Sequence, residues 1–208
     1  MDVDVYKYWI GSIGFRTNEI VKEILDSSIK YVSLIWIALF GINFVFTQIF
    51  LFDGGDLAPL SEIMIKSLLF GPFIGAIFWL LFCSLVYLIG WLFRGTANWF
   101  QIFTATAWAT IPYNAKCILG IFQIVFFGEE LFTRSTPELN QSAILMLLYL
   151  LFLLLDVLLT VWFYIVLVRS VAVAHEIATW KSILVNLLSM TILWSFSLFV
   201  LHILFFPF

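Results

Sequence analysis

Two charged side chains stand inside long apolar runs of this sequence. Lys116 is embedded in ATIPYNAKCILGIF and Asp156 in LYLLFLLLDVLLTV. An isolated charge at the centre of a bilayer costs about 2.5 to 3.5 kcal/mol even on the gentlest insertion scale, so each of these groups needs a partner, a water pocket or neutralisation. Each lies near the middle of its run, and the short connection between the runs makes them antiparallel neighbours. A cross-helix ion pair is the most economical arrangement. Such a pair either glues the structure or belongs to a transport or catalytic site; the remaining possibility is that each charge is satisfied independently.

Lys116 ends a polar stretch that begins with Thr104, Thr106 and Thr110 and continues through Pro112, Tyr113 and Asn114. Pro112 lacks an amide donor and disturbs the carbonyl of Trp108, which predicts a kink whose freed groups are met by hydroxyls or water. Thr110, Pro112, Tyr113, Asn114, Lys116 and Asp156 therefore form a candidate intramembrane polar site. They either line a cleft or hold helices together through polar contacts.

A second set, Trp99, His175, Glu176 and Trp180, falls between apolar runs and forms a candidate cytoplasmic interface. His175 beside Glu176 suits a proton relay or a polar contact at headgroup level, but no second histidine and no serine or cysteine nucleophile accompanies it. The sequence holds no glycine-rich phosphate loop, HExxH or CxxC, so no cofactor or metal is expected, and its scattered cations make no nucleic-acid patch. Cys83 and Cys117 read as thiols buried in spans. Asn140-Gln141-Ser142 matches a glycosylation acceptor too close to the next span for ready use.

The elements that must position these residues follow from hydropathy. Of the 208 residues, 63% are hydrophobic and 11% charged, against roughly 25% charged in a soluble domain. A bilayer core of about 30 Å takes about 20 apolar helical residues to cross. Stretches of that length run from Tyr31 to Phe52, Ser67 to Phe93, Ile102 to Gly128, Ala143 to Val168 and Ser182 to Phe205. The nearly unbroken apolar run Leu147 to Leu159 excludes the alternation of a β-barrel. The predicted fold class is an all-α membrane protein, a five-helix transmembrane bundle with a short amphipathic N-terminal helix. Residues 1–30 are expected to form a cytoplasmic segment and residues 31–208 the membrane domain. The polar, acidic start lacks the pattern of a secretory signal, so the first span is expected to be retained.

Within the first segment, Ile20, Val21, Ile24, Leu25 and Ile29 repeat at three- and four-residue spacing after a Thr17 or Asn18 cap. That pattern predicts an amphipathic helix ending near Lys30. Its apolar side either binds a membrane surface or partner, or covers the cytoplasmic mouth of the bundle. Orientation follows from Lys and Arg near span ends. With the N-terminus inside, Lys7, Arg16, Lys22, Lys30, Arg94, Arg169 and Lys181 are cytoplasmic and only Lys66 and Arg134 are outside. The predicted protein is a multi-pass component of the cell membrane, N-terminus cytoplasmic and C-terminus outside.

The strings FRGTANWFQIFTATAWATIPYNAK and LVRSVAVAHEIATWKSI bring together a glycine-containing turn, a proline within the following span and a small-residue loop before the last span. In this order of features the chain resembles the Yip1 domain family of membrane proteins over about residues 15 to 205. Gly95, Trp108, Ala109 and Pro112 match the family pattern, with Trp108 where tyrosine is usual. The Asp-Leu-Tyr-Gly-Pro string of eukaryotic members is missing, so the resemblance points to the prokaryotic branch, which has no settled activity. Eukaryotic relatives act in vesicle trafficking and bind Rab GTPases and one another; without their string, GTPase recruitment is not implied here. The resemblance implies a non-enzymatic membrane-organising or interaction protein, with membrane lipids and a second copy or other membrane proteins as partners. The alternative is a transporter, channel or lipid-handling protein built on Lys116 and Asp156.

Overall fold

Apolar runs broken by turn residues set the order of helices. The computed structural model describes residues 17–26 and 30–205, with side chains placed for 18–25, 32–137 and 139–195. The expectations for Lys7, Arg16, Ile29 and the chain end lie outside the described residues. Helix α1 (Thr17–Asp26) leads to α2 (Lys30–Leu51), a 3-10 turn at Gly54–Asp56, and α3 (Leu60–Leu92). Then come α4 (Trp99–Ala109), α5 (Ile111–Asn114), α6 (Lys116–Phe127) and a 3-10 segment at Gly128–Phe132. The short α7 (Pro137–Gln141) precedes α8 (Ala143–His175) and α9 (Thr179–Phe205).

The expectation of a five-helix transmembrane bundle does not hold. Among the described residues three helices are long and apolar enough to cross a bilayer, within Val32–Leu51, Leu60–Leu92 and Ala143–His175. The third expected span, Ile102 to Gly128, is interrupted at Thr110 and Ala115. Its longest pieces have 11 and 12 residues, or about 16 to 18 Å of helix at 1.5 Å per residue, half of a hydrocarbon core. The interruptions flank Pro112, which has no amide to give to the carbonyl of Trp108. Helix α9 is 27 residues long, but its side chains are placed only as far as Ser195. Helices α3 and α8 have 33 residues each, about 50 Å, so each tilts or projects well beyond the apolar slab.

The chain divides into two compact units. One takes α1, α3 from Phe78, α4, α8 from Val166, and α9. Its core is a stripe on α3, with Trp79, Phe82, Cys83 and Val86 all fully buried, at the spacing that puts them on one helix face. Ile20, Val21 and Ile24 are buried too, and α1 lies against α4. Three residues of the apolar face of α1 thus pack inside the protein. Ser182, Asn186 and Ser189 repeat the same spacing on α9, and the Ser182 hydroxyl donates to the carbonyl of Val168 at 2.6 Å.

The other unit takes Tyr31–Ile77 and Thr110–Ile165. Here α2 and α3 touch through backbone: a Cβ on Gly41 would overlap the carbonyl oxygen of Gly71 and come within 2.7 Å of the Gly75 Cα. Small residues at such a crossing let van der Waals contact replace the hydrophobic drive that lipid does not supply. At one end of the unit, Phe127, Leu131, Phe132, Leu139 and Phe152 cluster with Ile63.

Both long helices that enter the first unit end in the same cap. At the end of α3 the Gly95 amide donates to the carbonyl of Gly90 at 2.9 Å and the Arg94 amide to that of Trp91 at 2.9 Å. At the end of α8 the Ile177 amide donates to Ala172 at 3.1 Å and the Glu176 amide to Val173 at 3.3 Å. These are Schellman pairs, and the residues in the left-handed position are Arg94 (φ 65°) and Glu176 (φ 56°), where glycine is the usual occupant. Helix α4 opens on a capping box: the Gln101 amide donates to the Asn98 carboxamide oxygen at 2.9 Å, and the Asn98 amide to that of Gln101 at 2.8 Å.

Candidate functional site

The broken third segment places its polar groups on the second unit. Lys116 is the first residue of α6, where the partial positive charge of a helix N-terminus opposes a cation. The compensating charge is Asp156 of α8. Lys116 Nζ lies 2.9 Å from Asp156 Oδ2, with the lysine side chain 7% exposed and the aspartate 35%. Nζ also sits 4.7 Å from the centroid of the Tyr113 ring, within the range of a cation–π contact. Tyr113 in turn packs against Phe40 at 5.0 Å and Phe163 at 5.4 Å between ring centroids. The ammonium thus meets both the carboxylate and the Tyr113 ring, which is itself packed against two phenylalanines.

Asn114 ties the same break to α2, donating to the carbonyl of Trp36 at 3.0 Å and to the Thr110 hydroxyl at 3.1 Å. One turn on, Asn43 Nδ2 donates to Cys117 Sγ at 2.9 Å and to the Leu39 carbonyl at 3.2 Å. Thr110, Pro112, Tyr113, Asn114 and Lys116 are all buried, and Asp156 alone of the candidate set reaches the surface. The structure thus joins five of the six residues in two contact sets, Thr110 with Asn114 and Tyr113 with Lys116 and Asp156, around the backbone break at Pro112. Cys117 departs from the expectation of a buried thiol, since it is only partly covered.

Asn43, Phe40 and Phe163 complete this cluster and were not marked by the sequence reading. An amide inside an apolar run was a usable signal for Asn43, because such a group must find a partner in lipid. Phe40 and Phe163 gave none, being two of 24 phenylalanines.

In the first unit, the residues expected at a cytoplasmic interface separate. The His175 ring is fully buried between Gly90 and Gly95. A Cβ on Gly90 would strike the ring nitrogen Nε2, and one on Gly95 would strike Nδ1 and come within 2.7 Å of Cγ. Neither ring nitrogen makes a hydrogen bond of good geometry, though the Val86 carbonyl lies close to the ring. His175 is therefore an internal residue at the junction of two helix ends, and its carbonyl accepts the Thr96 amide at 3.0 Å. Glu176 is exposed and accepts from the Thr96 hydroxyl at 3.2 Å. Trp99 donates to Ser84 at 3.2 Å and stacks on Phe103. Trp180 is 60% exposed.

The family described as the Yip1 domain matches residues 15–202. The chain belongs to the Yip1 domain family. No curated protein and no solved structure matches it. The positions that carried the resemblance to the Yip1 domain have physical roles here. Gly95 closes the α3 cap and leaves room for His175; Trp108 is buried; Pro112 lies between the two helix interruptions. Yip1 membership and the lack of a catalytic motif in the sequence agree with a non-enzymatic protein. Among the described residues no three His, Cys, Asp or Glu side chains converge as a metal site.

Proposed function

We propose that this Yip1 domain protein organises membranes by association, with itself or with other membrane proteins, and performs no chemistry of its own. The observation that carries this reading is that Lys116 and the Asn114 amide donor meet their partners inside the fold. Lys116 is taken by Asp156 and Tyr113, and Asn114 by Trp36 and Thr110, which suits polar glue better than the lining of a lumen. Glu176 and Trp180, both exposed, and the half-buried Trp99 are the residues proposed to meet a cytoplasmic partner. The missing Asp-Leu-Tyr-Gly-Pro string supports a place in the prokaryotic branch. Crosslinking in native membranes followed by purification is expected to recover a dimer or a reproducible partner. Recovery of uncrosslinked monomer alone overturns the proposal.

The alternative of a transporter, channel or lipid-handling protein has one observation in its favour, the partial exposure of the Asp156 carboxylate. Flux or lipid scrambling in liposomes that is lost with Asp156→Asn would replace the first reading.

The proposed orientation has α1, the Arg94 turn and the α8–α9 turn in the cytoplasm, the loop at 53–59 outside, and the C-terminus outside. It rests on the excess of Lys and Arg on the first set of segments. In a variant lacking Cys83 and Cys117, a cysteine at Asp56 should be modified by an impermeant reagent from outside, and a cysteine at Arg94 only after the membrane is opened. The reverse pattern overturns the assignment.

A further inference from the structure

A cleft of about 710 Å³ opens in the first unit between α1 and the end of α8, within the size range of small-molecule sites. Asn18 and Lys22 of α1, Arg169 of α8, Glu176 and Thr179 line it. No described side chain forms an ion pair with Lys22 or Arg169. Among the described lining residues, two cations without an ion pair and one carboxylate sum to one positive charge. Burial of Ile20, Val21 and Ile24 anchors α1, so Lys22 is held beside the cleft on a docked helix.

Its depth follows from α8. Arg169 is 13 residues beyond Asp156, about 20 Å along the helix, and the hydrocarbon half-thickness is about 15 Å. With Asp156 near the midplane, Arg169 reaches the headgroup layer. The exposed Trp180 follows Thr179 directly, and exposed tryptophans favour that layer. A phosphodiester carries one negative charge and so matches the cleft, whereas Glu176 opposes the extra charge of a free phosphate dianion.

We infer that this cleft binds the phosphodiester of an anionic phospholipid headgroup, with Lys22 and Arg169 on the phosphate oxygens. Basic pockets at the cytoplasmic ends of membrane helices recognise headgroups in this way. The site adds a lipid ligand to the association proposed above and does not depend on it.

The test titrates the full-length protein, in an uncharged detergent, with short-chain phosphatidylglycerol, phosphatidylcholine and inorganic phosphate, bound lipid being counted by native mass spectrometry. Phosphatidylglycerol should bind best. K22Q/R169Q should weaken it about 30-fold, about fivefold for each cation, while K66Q, at an exposed pair with Glu62 on α3, should leave it unchanged. E176Q should tighten inorganic phosphate more than the lipid. Equal affinity in K22Q/R169Q, preference for phosphatidylcholine, or displacement of lipid by equimolar phosphate overturns the inference. Should K22Q/R169Q fail to fold, added salt on the unmodified protein decides: screened binding supports the site, and salt-insensitive binding overturns it.

Discussion

Replacing Asp156 with leucine should destabilise the protein by about 3 to 5 kcal/mol, the usual consequence of removing one partner from a buried ion pair. The lysine left behind is 7% exposed and sits at a helix N-terminus, where the local field already disfavours it. Lys116→Met should be milder, about 2 to 3 kcal/mol, because the aspartate left behind is 35% exposed and far less enclosed than the lysine. The double variant K116M/D156L should return to within about 1 kcal/mol of the starting protein, since no unpaired charge remains. Thermal unfolding in detergent, scored by loss of the monodisperse peak, measures all three. A double variant as unstable as the sum of the single changes would mean that the pair is not the unit of stability. If the double variant recovers folding but loses partner capture, the pair serves function as well as structure.

That pair was legible in the sequence because each charge stands alone in an apolar run and lipid leaves it few options. The depth of each residue then named the partner. The rest of the cluster was hidden for a physical reason: Asn114 bonds to the carbonyl of Trp36, and every residue carries a carbonyl, so nothing in the sequence marks which one a side chain will find. The five-helix expectation failed through a similar gap. Hydropathy reports which residues tolerate lipid, not whether the backbone through them stays helical. Pro112 signalled a disturbance, yet the second interruption, at Ala115, has no breaker residue. The expected start at Ser67 also missed seven residues of α3, because Glu62 and Lys66 are polar but pair across one helical turn. His175 shows the converse: its polarity suggested a surface, while the space that buries it is made by glycines 80 and 85 positions earlier in the chain.

The Gly41 crossing should respond as sharply as the ion pair. A methyl group on Gly41 would collide with the Gly71 carbonyl oxygen and the Gly75 Cα, and these are backbone atoms that cannot rotate away. Helices α2 and α3 would have to separate, losing close-packed contact along the crossing. Overpacking of this kind costs about 1 to 3 kcal/mol or more, against about 0.5 to 1 kcal/mol gained when alanine replaces glycine in a helix. The loss wins. Gly41→Ala should therefore lower the unfolding temperature, and Gly41→Val should prevent recovery of folded protein. Gly120→Ala is the control: its Cβ meets only a Phe46 ring carbon at 3.7 Å, an ordinary contact, so the helical gain stands alone and stability should hold or rise. Gly71→Ala, whose Cβ would come within 2.7 Å of the Ile42 Cα, should behave like Gly41→Ala. Combining those two should cost less than their sum, because helices already forced apart by one methyl group have room for the other. If Gly41→Ala unfolds no earlier than Gly120→Ala, the backbone contact between α2 and α3 does not hold this unit together.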